Sequence, residues 1–538
     1  MKPSSAFDYI VVGAGSAGCV IASRLSEDPE VKVLLLEAGG KDNHPLLSMP
    51  MGFMKAMFRP EFIWPFQSEP EPYLNNRRIP LPRGKVLGGS SSINGMFYMR
   101  GHPGDYNEWR DLGCAGWGFE DVLPYFKRSE GSWRAPDRFH NDQGPLKVSA
   151  IDTTHLLHEP LMQTAVAAGY AVSPDIDGEI TEGFARGDVT IDRRGRRSST
   201  SRAFLRPAML RPNLTVETGA LTTRMVLEGG RAVGVEYLRD GQLQCARAER
   251  EVVLSGGTFN SPQMLMLSGI GPAADLSKLD IDVRHDLPGV GRNLSEHPRV
   301  NVQFEASRPV TFINQLRLDR ALLSAARWAL TGGGPFATQI NSCNMVIRTD
   351  PTADRPDIQL CANPIRMDAG LWFPGFVKPK SHSFTTMICQ LHPHSRGWVK
   401  LRSSDPTDFP QIHLNLFSRT EDFAIMRRGI RATRVIYRSG AQAELTGAEI
   451  APGMDINSDA ELDAYIRANA GVTQHPVGTC RMGHDADAVV DPQLRVHGIE
   501  GLRVADASIM PTVPGANTNA AAIMIGEKAA DMISHGHR

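Results

Sequence analysis

The sequence predicts an α/β fold with a parallel sheet, plus an inserted α+β unit built on an antiparallel sheet. Three observations predict this architecture. A strand, a glycine turn, a helix and a second strand follow one another within residues 7–38. Strand-like apolar segments return much later, at residues 252–255 and 502–505. From residue 299 to 464 the pattern changes to alternating strands interrupted by prolines, which indicates a different structural unit.

The N-terminal glycines form the pattern G-x-G-x-x-G. Gly13 permits a tight turn, Gly15 lets the backbone approach a pyrophosphate, and Gly18 lets the helix pack closely on the strand. The helix over residues 19–25 would offer unpaired N–H groups to the phosphates. Glu37 ends the next strand, 19 residues after Gly18, where an acid binds ribose hydroxyls. These features predict a Rossmann-like dinucleotide-binding unit, and by themselves they do not separate NAD from FAD.

The following segment favours FAD. An NAD domain should continue directly with its second strand–helix–strand half, but residues 43–95 are rich in Pro, Gly, Met and aromatic residues. We expect an extended loop that crosses a large cofactor. Residues 83–94 contain a second Gly/Ser-rich turn, which would offer backbone N–H groups to phosphate or flavin oxygens, unless it is a plain glycine turn. The methionines and phenylalanines of residues 51–58 would line an apolar substrate entrance or pack in the core.

The middle of the chain predicts further elements. Residues 213–238 alternate like hairpin strands around a Gly-Gly turn. A helix is expected to start near Ser261 and Pro262, with the proline in its first turn. Two further helices are expected near residues 316–330 and 420–438. The basic stretch RRGRR at residues 193–197 is interpreted as a solvated turn rather than a nucleic-acid contact.

Composition excludes several classes of protein. Lys and Arg number 58 against 59 Asp and Glu, for a net charge of −1, so there is no basic footprint for nucleic acid. Seven scattered cysteines without a CxxC pair argue against a disulfide framework and a zinc site. His392 and His394 have no third partner at ligand spacing, so no metal is predicted.

The sequence also bears on location. No apolar run reaches the roughly 18 residues of a membrane span. The N-terminal segment has no hydrophobic core followed by a small-residue cleavage site. We expect a cytoplasmic protein, and peripheral contact with the inner membrane stays open.

Two C-terminal segments carry candidate catalytic residues. His475 stands in VTQHPVGTCRMG, and Asn517 lies where a helix is expected to begin. A neutral imidazole can take an alcohol proton as hydride leaves, because its pKa lies near working pH. The Asn517 amide could hold the oxygen, and the helix dipole would favour negative charge on an accepting flavin. The residues alone leave a structural role for His475 open.

Several motifs occur in a fixed order along the chain. They are GAGSAG with Glu37, GKVLGGSSSINGMFYMRG at residues 84–101, GTFNSPQMLMLSGIG at residues 257–271, LPGVGRNLSEHP at residues 287–298, and the two C-terminal segments. Together they resemble the glucose–methanol–choline (GMC) oxidoreductase family, and particularly its bacterial choline-dehydrogenase-like alcohol dehydrogenase branch. The resemblance covers nearly the whole length.

The resemblance implies a Rossmann-like FAD-binding domain that is built from discontinuous segments, residues 1–150, 188–298 and 465–538. It implies an inserted antiparallel-sheet domain for the substrate, residues 151–187 and 299–464.

The resemblance also implies roles for individual residues. His475 matches the histidine beside flavin N5, and Asn517 matches a second position that is His or Asn in the family. Asp506 and Ala507 match the loop beside the flavin and ribityl chain, and Thr222 falls where an adenine-side backbone contact is usual. The other FAD contacts expected from the motifs are Gly13, Gly15, Ser16, Ala17, Gly18, Glu37, Ala38, Arg83, Gly88, Gly89, Ser90, Asn94, Gly95, Met96 and Thr518.

One departure concerns the attachment of FAD. Some relatives hold FAD covalently through a histidine two residues before the position of Gly95, and this chain has Ile93 there. The resemblance therefore implies non-covalent, dissociable FAD.

The implied activity is FAD-dependent oxidation of a primary alcohol to an aldehyde, by a dehydrogenase. The electron acceptor would be a quinone or another carrier, or O2. No carboxylate for an ammonium group can be placed, so we expect an uncharged aliphatic, aromatic or polyether alcohol rather than choline. The alternatives are an O2-using alcohol oxidase, a choline dehydrogenase, an FAD-containing hydroxynitrile lyase, and a flavin-binding scaffold without turnover.

Overall fold

The computed structural model describes residues 6–536, and two large sheets organise it. The expectation about the N-terminal segment falls partly on residues 1–5, which lie outside this range. The strands of the two sheets are β1 (Ala6–Val12), β2 (Val33–Glu37), β3 (Val172–Ser173), β4 (Gly183–Ala185), β5 (Leu214–Thr218), β6 (Leu221–Glu228), β7 (Arg231–Arg239), β8 (Gln242–Leu254), β9 (Pro298–Ala306), β10 (Cys343–Ile347), β11 (Ile358–Asn363), β12 (Ser383–Gln390), β13 (Thr446–Ala451), β14 (Gly471–Val472) and β15 (Leu502–Val504). The longer helices are α1 (Ser16–Leu25), α2 (Pro103–Asp111), α3 (Phe119–Ser129), α4 (His158–Ala167), α5 (Gly257–Leu267), α6 (Leu318–Thr331), α7 (Thr420–Tyr437), α8 (Asp459–Asn469) and α9 (Thr518–Gly536).

The first sheet has the strand order β5-β2-β1-β8-β7-β6, and β15 pairs with β8. Strands β5, β2, β1, β8 and β15 run parallel, whereas β6, β7 and the first half of β8 form an antiparallel meander. The central strands are buried on both faces, which explains the continuous apolar run of β2. Helices α1 and α9 pack on each other beside this sheet. The predicted strand–turn–helix–strand start is confirmed.

The second sheet has the order β13-β9-β12-β11-β10-β4-β3, and β14 pairs with β9. Its pairs are antiparallel except for the short β3–β4 pair. Helix α7 packs against its central strands, and the two helices expected after residue 315 are present as α6 and α7. The predicted fold class is confirmed: a parallel α/β unit is joined to an antiparallel α+β unit. The domain boundaries stay a proposal.

Residues 43–95 are more structured than expected. They contain two short helices, Pro45–Ser48 and Phe53–Ala56, and a hairpin of Ile63–Gln67 with Pro80–Gly84. The sequence does not predict helix α4, because its apolar residues show no clear helical period and only three of its residues, Leu161, Thr164 and Ala165, are buried. Local propensity in both segments is weak, and packing against the sheets decides their structure.

The expected start of helix α5 is wrong. The helix begins at Gly257, so Pro262 lies inside it and not in the first turn. Proline has no N–H to donate to the carbonyl of Thr258, four residues earlier. The hydroxyl of Thr479 donates to that carbonyl instead, at 2.6 Å. A tertiary contact therefore permits the proline and ties α5 to the HPVGT segment.

Candidate active site

The first glycine turn forms a cradle of backbone atoms. Gly13 has φ +99°, and a Cβ added there would lie 2.5 Å from the carbonyl oxygen of Ser255. A Cβ on Gly18 would lie 1.9 Å from the Gly13 oxygen. Glycine is therefore required at both positions, for the reasons that the motif predicts. Gly15 precedes α1 without a side-chain cap, so N–H groups of the first helical turn are available to an anion.

The second glycine turn lies directly on the first. The Gly88 N–H donates to the Ala14 oxygen at 2.8 Å. A Cβ on Gly89 would come within 2.7 Å of the Gly15 Cα. Both glycines have positive φ, +87° and +53°. Two turns that are 70 residues apart in sequence thus form one backbone-lined surface, as a cofactor that approaches both would need.

Glu37 and Thr222 lie together at the end of this surface. Glu37 is 6% exposed, and its carboxylate accepts N–H bonds from Ala14 at 2.9 Å and Gly39 at 2.8 Å. Burial raises its pKa to about 7, against those two hydrogen bonds. The Thr222 hydroxyl is buried without a hydrogen-bond partner, and Ala220 N–H binds the Glu37 carbonyl at 2.9 Å. A buried hydroxyl without a partner, two residues after the contact with Glu37, and a carboxyl with remaining lone pairs fit the adenosine of FAD.

His475 and Asn517 meet although they are 42 positions apart. Asn517 Nδ2 lies 3.0 Å from His475 Nε2. The other ring nitrogen, Nδ1, lies 2.9 Å from Thr473 Oγ1 and 3.1 Å from His297 Nδ1. The Thr473 hydroxyl lies 3.3 Å from the His297 carbonyl, to which it can donate while it accepts from His475 Nδ1–H. This assignment leaves the lone pair on Nε2, on the side of Asn517.

Burial keeps the imidazole of His475 neutral. It lowers the pKa of His475 well below the ordinary value, and His297 and Arg83 lower it further. Burial also lowers the pKa of His297 to about 3. A buried neutral imidazole can accept a proton at Nε2 when an alcohol takes the place of the Asn517 N–H there, so the arrangement suits a general base.

The carboxyl group of Glu296 binds the backbone of both histidines. Its Oε1 accepts the backbone N–H of His475 at 2.7 Å and that of His297 at 3.0 Å. Burial raises the pKa of Glu296 to about 8, although the positive charge of Arg83 opposes this rise. This SEHP stretch is part of a motif in the sequence, but the motif predicted no role for Glu296, His297 or Thr473. An adjacent carboxyl and imidazole before a proline was the available signal.

The comparisons with known proteins identify the family. Residues 7–299 and 393–526 match the two models of the GMC oxidoreductase family. The chain belongs to the GMC oxidoreductase family. It is therefore an oxidoreductase that acts on CH–OH groups and binds FAD, and the resemblance seen in the sequence is confirmed.

Relatives and solved structures agree with this assignment. The chain is 43% identical to the mitochondrial choline dehydrogenase of Mus musculus, over 99% of this chain and 90% of that protein. It is 43% identical to an oxygen-dependent choline dehydrogenase of Stenotrophomonas maltophilia, over 99% and 96%. Among structures, pyridoxine 4-oxidase from Mesorbium loti superposes with a TM-score of 0.89 at 30% identity, over 99% of this chain and 100% of that one. Formate oxidase of Aspergillus oryzae RIB40 gives 0.92 at 28% identity, over 100% and 99%.

In this GMC oxidoreductase the other predicted FAD residues fall into three groups. The first lies at the glycine turns: Ser16 Oγ donates to Asn519 Oδ1 at 2.7 Å and ties α1 to α9, and Ser90 Oγ accepts the Gly84 N–H at 3.1 Å. Ala17 is buried within α1, and Ala38 directly follows β2. Their contacts with FAD stay predictions.

The second group is the turn from Asn94 to Met96. Asn94 Oδ1 accepts the Met96 N–H at 3.0 Å, and Met96 is buried with φ +64°. A Cβ on Gly95 would lie 3.9 Å from a ring carbon of Phe53. Phe53, with neighbouring methionines, packs against the cluster around Met96. The methionine- and phenylalanine-rich segment therefore borders the predicted flavin side of the pocket.

The third group lies on the C-terminal side. Asp506 Oδ2 accepts from Gly257 N–H at 2.9 Å and from Ser261 Oγ at 2.6 Å. Its Oδ1 accepts from Ser508 N–H at 2.8 Å, so this carboxylate is fully engaged in the protein. Ala507 follows it, and Thr518 begins α9 as a buried residue. A contact of Asp506 with FAD stays a prediction, best made through the backbone.

The side chain of Arg83 contacts Gln474, the residue before His475. Its Nη1 donates to the Gln474 carbonyl at 2.9 Å, its Nη2 binds Gln474 Oε1, and its Nε donates to the Pro82 carbonyl at 2.7 Å. The guanidinium thus fixes the residue before His475.

The remaining histidine candidates have structural partners. His392 Nε2 binds Asp105 Oδ1 at 2.8 Å, and the backbone N–H of His394 donates to Asp422 at 2.8 Å. Among residues 6–536, no three His, Cys, Asp or Glu side chains are grouped as metal ligands. Within the same range, no helix is both long enough and apolar enough to cross a membrane.

Proposed function

We propose that this chain is a dehydrogenase that oxidises an uncharged primary alcohol, aliphatic, aromatic or polyether, to its aldehyde. The observation that carries the proposal is the 3.0 Å contact between His475 Nε2 and Asn517 Nδ2, beside a buried, neutral imidazole. We propose non-covalent FAD, because Ile93 stands where a covalent attachment needs a histidine. The acceptor is proposed to be a quinone or another carrier rather than O2.

The two residues divide the work on the alcohol. His475 Nε2 takes the hydroxyl proton once the alcohol has displaced the Asn517 N–H from its lone pair, and the released Asn517 amide steadies the oxygen as it gains negative charge. Bound FAD supplies the hydride acceptor, N5, so that loss of one proton and one hydride leaves the aldehyde. Thr473 and Glu296 keep the His475 ring and backbone in place through the contacts given above. The ring and backbone of His475 are thus held by the protein before substrate binds, which lowers the reorganisation that the reaction requires.

The charges around His475 favour an uncharged substrate. Besides burial, Arg83 lowers the pKa of His475, whereas His297 has a pKa of about 3 and is neutral at neutral pH, so the charge that acts on the site is the positive one of Arg83. Glu296 is the carboxyl that binds the His475 backbone, and with a pKa of about 8 it is mainly protonated at neutral pH. A quaternary ammonium would lie near a cation without a compensating carboxylate.

Choline is the second candidate, because the relatives that match over nearly the whole chain are choline dehydrogenases. The O2-using alternative is favoured by the names of two structural neighbours, pyridoxine 4-oxidase and formate oxidase. A hydroxynitrile lyase would use His475 for proton transfer without net redox chemistry.

Anaerobic bleaching of the bound flavin in a stopped-flow instrument separates these candidates. The decisive pair is choline and its carbon isostere, in which a tert-butyl group replaces the trimethylammonium group. We expect the isostere and benzyl-type alcohols to reduce the flavin faster than choline. Faster reduction by choline would refute the charge argument, and cyanohydrin cleavage without any flavin reduction by alcohols would refute the oxidoreductase mechanism. Reoxidation by O2 as fast as by a quinone would refute the assigned acceptor.

A further inference from the structure

Of the four arginines in the basic stretch at residues 193–197, Arg197 is the buried one. It is 1% exposed, whereas Arg193 and Arg194 are exposed. Its backbone N–H donates to the Ser48 carbonyl at 2.9 Å, which fixes the direction of the chain at this point. The interpretation of the whole stretch as a solvated turn is therefore wrong for Arg197.

The guanidinium of Arg197 forms hydrogen bonds with the turn that carries Asn94. Nη1 donates to Asn94 Oδ1 at 2.7 Å and to the Ser91 carbonyl at 3.1 Å, and Nε donates to the Leu47 carbonyl at 3.1 Å. Nη2 is buried without a hydrogen-bond partner. Among the described residues no carboxylate forms an ion pair with Arg197.

The buried guanidinium of Arg197 destabilises the protein when no anion is bound near it. A buried charge normally has a counterion, because loss of hydration is otherwise uncompensated. Burial accordingly lowers the pKa of Arg197 to about 9. An anion that binds nearby would offset this penalty.

The neighbours of Arg197 point to that anion. Thr200 Oγ1 lies 2.9 Å from Ser91 Oγ and 3.4 Å from the Gly15 oxygen, so this segment touches both glycine turns. The hydroxyl of Ser201 is also buried without a partner, and a Cβ on Gly88 would lie 3.2 Å from the Ser201 Cβ. The segment from Arg197 to Ser201 is therefore a third wall beside the two turns predicted to hold FAD.

We propose that Arg197 is a positioning residue of the FAD pocket: it holds the Ser91–Asn94 turn in the geometry that FAD requires, and its uncompensated positive charge favours the anionic cofactor. The proposal rests on the FAD binding of the family and not on the identity of the alcohol, so it stands or falls independently of the substrate assignment. Arg197 acts through Asn94 and Ser91 and through its charge.

The test compares Arg197→Met with the exposed control Arg193→Met. FAD affinity is measured by titration of the FAD-free protein, and the midpoint temperature of unfolding is measured with and without FAD. Loss of a hydrogen-bonded cation is expected to weaken FAD binding about 10- to 100-fold. The midpoint of the FAD-free Arg197→Met protein should equal or exceed that of the FAD-free parent, because an apolar side chain of similar size removes the buried charge. Arg193→Met should change neither quantity.

Two outcomes overturn the proposal. Unchanged FAD affinity in Arg197→Met would show that the residue does not serve the cofactor. A purely structural role would be shown if Arg197→Met lowers the midpoint of unfolding as much in the FAD-free protein as in the FAD-bound protein. It would also be shown if Arg197→Met does not fold.

The route through Asn94 is tested with Asn94→Ala alone and combined with Arg197→Met. If Arg197 acts through Asn94, the two losses of FAD affinity are not additive. If the two losses of FAD affinity add exactly, Arg197 does not act through Asn94, and only the effect of its charge remains of the proposal. Arg197→Lys, which keeps the charge without the planar fork, should bind FAD more tightly than Arg197→Met and more weakly than the parent.

Discussion

Replacement of Asn517 by aspartate tests whether His475 works as a neutral base. The change keeps the shape of the side chain but places a carboxylate where an amide now lies, 3.0 Å from His475 Nε2. The attraction between a carboxylate and an imidazolium at this distance is about 5 kcal/mol at an effective dielectric constant of about 20. That energy corresponds to a ~10⁴-fold increase in the proton affinity of the imidazole.

The expected effect is a change in the pH profile of flavin reduction. In the parent protein burial lowers the pKa of His475 well below its ordinary value, so the base form is present throughout the neutral range. The rate should therefore be independent of pH across the neutral range. In Asn517→Asp the raised pKa keeps His475 protonated at neutral pH, so the rate at pH 7 should fall at least ~10²-fold and rise with increasing pH.

The assay is anaerobic stopped-flow flavin bleaching between acid and alkaline pH, with absorbance checked to verify that FAD is bound. Asn517→Ala is the matched control, because it removes the N–H donor without adding charge. It should slow reduction ~10²-fold at every pH and leave the shape of the profile unchanged. A pH profile of Asn517→Asp that equals the parent's would refute the assignment of His475 as a neutral base in contact with Asn517.

Two further predictions concern stability and one concerns His475 itself. Thr479→Val should lower the free energy of unfolding by about 1–3 kcal/mol, because it leaves the Thr258 carbonyl unpaired. Adding Pro262→Ala restores an N–H donor to that carbonyl, so denaturant unfolding of the double variant should show that part of the lost free energy returns. A double variant as unstable as Thr479→Val would contradict the explanation. Although burial opposes it, hydrogen bonds to two carboxylates raise the pKa of His140 to about 9. Because this pKa is above the unfolded value of about 6.5, the stabilisation is complete below that pH and is lost as pH rises to about 9. Denaturant unfolding of the parent and His140→Gln should therefore differ most at mildly acid pH, and a difference that grows with pH would disprove this. His475→Ala should stay yellow and folded while flavin reduction slows at least ~10²-fold; unchanged kinetics would remove His475 from the mechanism.

Much of the fold could be predicted from the chain because its signals are local. The glycine spacing before α1, the continuous apolar run of β2 and the alternation of β6 and β7 each depend on a few consecutive residues. Helix α4 and the short elements of residues 43–95 carry no such pattern, and packing decides them. The start of α5 was misplaced because a hydroxyl from a distant segment compensates for its internal proline.

The candidate site shows the same division. The sequence by itself determined the residue types that the chemistry needs: glycines at the two turns, Glu37 after a buried strand, His475 before a proline, and Asn517 at a helix start. Their ordered motifs also determined the family. None of this required distances between remote parts of the chain.

Only the tertiary structure decided how these residues act. It placed Asn517 3.0 Å from His475 and brought His297 and Glu296 into contact with that residue. It also buried Arg197, whereas Arg193 and Arg194 are exposed. The physical reason is that protonation state and charge pairing depend on burial and on contacts between segments far apart in sequence. A histidine or an arginine has the same sequence signal in water as in the core. Its environment makes His475 a buried, neutral imidazole and leaves Arg197 buried without an ion pair among the described residues.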